Sequence, residues 1–134
     1  MDRTLAQSEH YEICYEYEIV YLKFIGKNRK IQIGDFYGDP EVALISSDER
    51  YCVIGGCGLI IYYLKEPFIE FSYNEIPTQW KTIFRENNNI WWISEINKGS
   101  NTEFISFNID QNDGKSKAGT YELNVFTLEV KKLN

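Results

Sequence analysis

Residues 31–64, IQIGDFYGDPEVALISSDERYCVIGGCGLIIYYL, decide the fold. At their centre is a hairpin signal: Tyr51-Cys-Val-Ile54, a Gly55-Gly56-Cys57-Gly58 turn, then Leu59-Ile-Ile-Tyr-Tyr-Leu64. β-Branched and aromatic residues dominate both arms, and the glycines supply the positive φ angles that a tight reversal requires. Neither arm alternates cleanly with polar residues. Strands of that kind are covered on both faces, so the hairpin belongs at the middle of a sheet with the rest of the chain covering it.

Upstream, residues 11–25 place Tyr11, Ile13, Tyr15, Tyr17, Ile19 and Tyr21 at odd positions and Glu12, Glu16 and Glu18 at even ones. That period of two reads as a half-buried strand. Its even face turns apolar at Val20, Leu22 and Phe24, which calls for a bulge, a bend or a crossing between sheets near Ile19. Residues 1–10 read as a flexible leader. Gly26 to Arg29 form a turn, residues 30–33 a return strand and residues 42–46 a short one. Residues 68–72 read as an edge strand because Pro67 precedes them.

Downstream, Thr78 can cap a short helix over about residues 78–86, with Trp80, Ile83 and Phe84 at i, i+3 and i+4. Residues 90–96 and 103–109 form a second hairpin, and residues 119–132 a last strand whose apolar phase also switches. The two hairpins share a rhythm, a weak internal repeat that falls short of a propeller signature. The expected class is mainly β: an antiparallel sandwich or half-open barrel with one short helix, in a single domain over residues 1–134.

Composition narrows function by exclusion. A net charge of −6 argues against nucleic acid or an anionic membrane as partner, since both call for a basic footprint. The N-terminal sequence lacks an apolar signal region and no apolar run reaches spanning length. Three cysteines without metal-site spacing fit a reducing cytoplasm, so a cytoplasmic location is expected. His10 is the single histidine, which leaves no partner set for zinc or for a Ser-His-Asp triad and makes Cys57 a turn residue rather than a nucleophile. No cofactor motif occurs. Gly55–Gly58 lacks the Lys and Ser/Thr of a phosphate loop and joins two strands.

Two features carry recognition chemistry. The loop Asp35-Phe36-Tyr37-Gly38-Asp39-Pro40-Glu41 holds carboxylates that can run glycoside hydrolysis or hold a hard cation, or simply build a turn. Trp91 and Trp92 are neighbours, so in a strand they point to opposite faces: both are buried between two layers, or one faces the core while the other is exposed as an interface anchor.

This character — small, acidic, rich in aromatics and Asn, with Gly34-Asp-Phe-Tyr-Gly-Asp-Pro40 before a Gly-Gly-Cys-Gly hairpin — resembles the small bacterial immunity proteins that neutralise cognate toxins. The resemblance implies a non-enzymatic protein-binding domain whose acidic face caps a basic toxin. On that reading Asp35, Tyr37, Asp39, Glu41, Asp48 and Glu49, with Trp92 as aromatic anchor, contact the partner. The alternatives are a small-ligand or glycan-binding protein, or a carboxylate hydrolase, built on Asp35 and Asp39. An assembly module that pairs through an edge strand is a third.

Overall fold

The computed structural model describes residues 3–72, 78–86, 89–109 and 118–133. Three four-stranded antiparallel meanders follow one another along the chain. The first holds β1 (Arg3–Gln7), β2 (Tyr11–Glu16), β3 (Ile19–Phe24) and β4 (Lys30–Asp35). The second holds β5 (Val42–Ile45), β6 (Tyr51–Gly56), β7 (Gly58–Tyr63) and β8 (Trp80–Ile83). A two-stranded ribbon, β9 (Arg85–Glu86) with β10 (Asn89–Ile90), leads to the third: β11 (Ile93–Lys98), β12 (Phe104–Ile109), β13 (Gly119–Asn124) and β14 (Val130–Lys132). None of the sheets closes into a barrel.

The sheets stack like a sandwich with three layers. Every residue of β6 and β7 is buried, because the alternation of the two strands feeds two separate cores. Cys52, Ile54, Ile60 and Tyr62 face the first sheet and meet Ile13, Val20, Leu22, Ile33 and Phe36. Tyr51, Val53, Leu59, Ile61 and Tyr63 face the third and meet Ile93, Ile105, Phe107 and Leu123. Each wholly buried Ile or Leu contributes about 1.5–3 kcal/mol of transfer free energy. The central hairpin therefore anchors both cores. The layers lie close: a Cβ at Gly55 would come within 2.9 Å of Ile93 Cγ2.

Facing outward, β12 and β13 carry Ser106, Asn108, Thr120, Glu122 and Asn124, and the outer side of the first sheet carries Glu12, Glu16, Lys23 and Gln32. Both outer faces thus carry polar side chains, interspersed with Cys14, Ile19 and Tyr21 on the first sheet and Phe104 on the third, while the middle layer is apolar on both sides.

Five expectations are corrected, one of them the last strand over 119–132, which is a hairpin of β13 and β14. Among the described residues there is no helix. Residues 80–83 form β8, pairing Trp80 with Tyr62 across from β7, and the two rings stack at 6.2 Å. Trp80 enters the first core whereas Ile83 and Phe84 enter the second, so their helical spacing came from two faces of a strand and the turn after it. The expected leader is β1 over Arg3–Gln7, paired with β2. The single long strand over 11–25 is a hairpin: β2 and β3 reverse at Tyr17-Glu18, with Tyr17 at φ 58°. Residues 68–72 form no strand; Phe71 N donates to Gln32 O, and Tyr62 Oη donates to Ile69 O.

Candidate functional site

Turns that the sheets project at one end of the molecule meet around the tip of the central hairpin. The β2–β3 turn and the β4–β5 loop are joined through Glu18. Its backbone oxygen accepts from Phe36 N at 2.8 Å, and its carboxylate accepts from Gly38 N at 2.7 Å. Trp92 forms an isolated bridge with Cys57, and Gly58 N donates to Trp91 O, which brings the segment before β11 against the same tip.

Two clefts flank this junction. One, of about 480 Å³, has Glu18, Asp35, Phe36, Tyr37, Cys57 and Arg85 on its walls. The other, of about 260 Å³, is bounded by Arg3, Tyr15, Glu16, Tyr17 and Asp39. At this end lie the most exposed aromatic side chains among the described residues: Tyr17, on the smaller cleft, is 82% exposed, Tyr37, on the larger, 78%, and Trp92, bridged to Cys57, 42%. Buried rings elsewhere occupy the cores, so these three are set apart by position. Tyr17 lies in the turn with Glu18, and Tyr37 lies in the loop between Asp35 and Asp39. Trp91, by contrast, turns inward, its ring parallel to Phe84 at 3.9 Å and in contact with Phe107 and Tyr121.

Arg85 supports this end from beneath. Its guanidinium lies 4.6 Å over the Phe36 ring and Nη2 donates to Asp35 O at 2.5 Å. Nη1 is buried and has no hydrogen-bond partner among the described residues. Gly58 makes room for it, since a Cβ there would lie 2.2 Å from Arg85 Cγ.

The residues expected at the interface divide into two groups. Asp35, Tyr37, Asp39 and Trp92 belong to the hairpin-tip end. Glu41 is exposed just before β5, where its N–H donates to Gly55 O. Asp48 and Glu49 sit in the β5–β6 turn at the far end of β6, roughly 20 Å away at ~3.3 Å per residue. There they serve local structure. Asp48 accepts from Arg50 Nε at 2.6 Å. Glu49, at φ 57°, accepts from Ser8 Oγ, His10 N and His10 Nδ1. Desolvation pushes the Glu49 pKa up but is outweighed by those hydrogen bonds, so it lies below the ordinary value; Asp48 is lowered in the same way, by Ser46 and Arg50.

Asp35 and Asp39 line different clefts. Cys57 and His10 are likewise at opposite ends, the latter held by Glu49. All three cysteines are buried, and no disulfide joins them. Among the described residues no group of three or more His, Cys, Asp or Glu is placed to hold a metal ion. Tyr17, Glu18 and Arg85 are the participants that sequence reading missed: the first two lay inside an unbroken strand pattern, the third inside the expected helix. Comparison with known protein families, curated proteins and solved structures finds no match.

Proposed function

We propose that this protein is a binding domain for a basic protein partner, engaged through the hairpin-tip end, and that it acts as an immunity protein neutralising a toxin. The observation that carries the reading is the exposed pair Tyr17 and Tyr37 on clefts walled by Glu16, Glu18, Asp35 and Asp39, with the exposed Trp92 bridged to Cys57 at the same hairpin tip. Large aromatic rings held in solvent supply contact area at low entropic cost, and carboxylates around them steer a cationic surface into register. Charge also governs the rate of such encounters, which gives the reading its salt signature. Asp48 and Glu49 are left outside the interface because the β5–β6 turn that carries them lies at the far end of β6, about 20 Å from the hairpin tip. The hydrolase and glycan readings call for Asp35 and Asp39 in one concave site, and the placing of Asp35 on the larger cleft and Asp39 on the smaller favours the partner-binding reading.

The test is affinity capture from lysate of the native host at low and high salt, with bound proteins identified by mass spectrometry. The expected result is one stoichiometric basic protein that is released at high salt and whose toxicity on expression is relieved by this chain. Reversing charge at Asp39 and Glu41, together with Tyr37→Ala, should weaken capture at least tenfold, about 1.4 kcal/mol. Binding unchanged in those variants, with unchanged salt dependence, would sink the reading.

A further inference from the structure

Away from the acidic tips, the molecule carries a cleft of opposite character. It measures about 530 Å³ and opens where the ends of β7 and β8 meet the β13–β14 turn. Tyr63, Leu64 and Phe126 form its apolar wall, while Arg50, Lys65 and Lys81 stand around it. Three of the chain's 14 basic residues thus surround one cleft, and none of the described residues bounding it is a carboxylate, although the protein as a whole is at −6.

The packing fixes most of these groups in place. Tyr63 and Phe126 stack at 5.8 Å, and Tyr63 Oη donates to Val125 O at 2.6 Å. Lys81 Nζ donates to Phe126 O at 3.2 Å, which uses one of its three N–H bonds and leaves the ammonium at the cleft wall. Arg50 lies 4.9 Å over the Phe126 ring and shares its charge with Asp48. Lys65 is exposed at the rim. The surplus charge is therefore that of Lys65 and Lys81, set against an aromatic wall.

We propose that this cleft is a second binding site, for a small organic anion with an apolar body: a carboxylate or a phosphate carried on a hydrocarbon or aromatic group. The volume is that of a small-molecule site, most of the wall is apolar, and a few placed polar groups define orientation, the usual design of such sites. Charge complementarity selects the occupant. An anion between Lys65 and Lys81 neutralises the surplus, and its body covers the edges of Tyr63 and Phe126. A cation or a neutral polar ligand gains neither.

The full chain, labelled with ¹⁵N, is titrated with 1-naphthoate, 1-naphthyl phosphate and the uncharged 1-naphthalenemethanol. Saturable shifts at Leu64, Lys65 and Lys81 are expected with one or both anions, bound at least tenfold more tightly than the alcohol. The tighter of the two distinguishes a carboxylate site from a phosphate site. Lys65→Gln, an exposed change without effect on folding, should lower that affinity about three- to tenfold, and Tyr37→Ala, at the other end, should leave it unaltered. The proposal is overturned if neither anion perturbs these resonances, if the alcohol binds as tightly, or if Lys65→Gln has no effect.

Discussion

Gly58 sits at φ 80° at the tip of the central hairpin, walled in by Phe84 O and Ile83 O, which a Cβ would approach to 2.7 and 2.9 Å. Those atoms belong to backbone and cannot step aside. Gly58→Ala is therefore expected to cost roughly 3–5 kcal/mol, at the severe end for a point change. For Gly55→Ala the nearest atoms belong to the side chains of Ile93 and Ile96, and the change should cost about 1–3 kcal/mol. Urea unfolding of both variants tests the ordering, and a reversed order would show that the tip has more room than described. Tyr17 poses the opposite case. It holds φ 58° with its ring in solvent, so the backbone is disfavoured for this side chain while the ring contributes no packing that would offset it. Tyr17→Gly should be neutral or stabilising by about 0.5–1 kcal/mol, yet weaken partner capture. A variant that loses stability instead would make Tyr17 a folding residue.

The β1–β2 turn is fastened to the β5–β6 turn by Ser8 and His10, both on the Glu49 carboxylate, and this link joins elements of two different sheets. The hydrogen bond and charge of Glu49 raise the His10 pKa above its ordinary 6.5. That contribution is complete below pH 6.5 and disappears as pH climbs through the raised value. The lowered Glu49 pKa gives the converse, with a contribution present above 4.5 and lost as pH falls through the folded value. The link is thus strongest between those limits. Hydrogen exchange along β1 and β2 should be slower, relative to an unstructured reference at the same pH, near pH 5.5 than near pH 8. Glu49→Gln should remove that difference; if it persists, the link does not control the edge. At this scale the sequence was legible wherever turns used ordinary turn residues. Gly26 to Arg29 and the Gly-rich tip announced themselves, and the doubly covered hairpin followed from its unbroken apolar runs. The reversals at Tyr17 and at Leu128, φ 68°, used residues that avoid positive φ, so each hid inside an apparent strand and showed only as a switch of apolar phase. The hairpin itself moves the apolar face from odd to even positions: Tyr11, Ile13 and Tyr15 pair with Phe24, Leu22 and Val20 on one side of the sheet.

Across the whole molecule, Ile60 and Ile61 are neighbours in β7 and both wholly buried, but one belongs to the core beneath the first sheet and the other to the core beneath the third. The sequence showed that this strand was covered twice without showing by what, because the two covering sheets are separated from it along the chain and their polar outer faces read as ordinary amphipathic strands. A shared middle layer has a thermodynamic consequence. Neither outer sheet can keep its core if the hairpin opens, so the three layers should unfold as one unit. Ile60→Ala and Ile61→Ala are each expected to cost about 2–5 kcal/mol. Both should shift the same transition, and far-UV circular dichroism should stay superimposable on fluorescence of Trp80 in one core and Trp91 in the other. Removing either tryptophan by substitution with Phe isolates the remaining signals. Separate midpoints for the two cores, or an Ile61→Ala variant that melts only the third sheet, would show that the layers are independent units resting on a common strand pair.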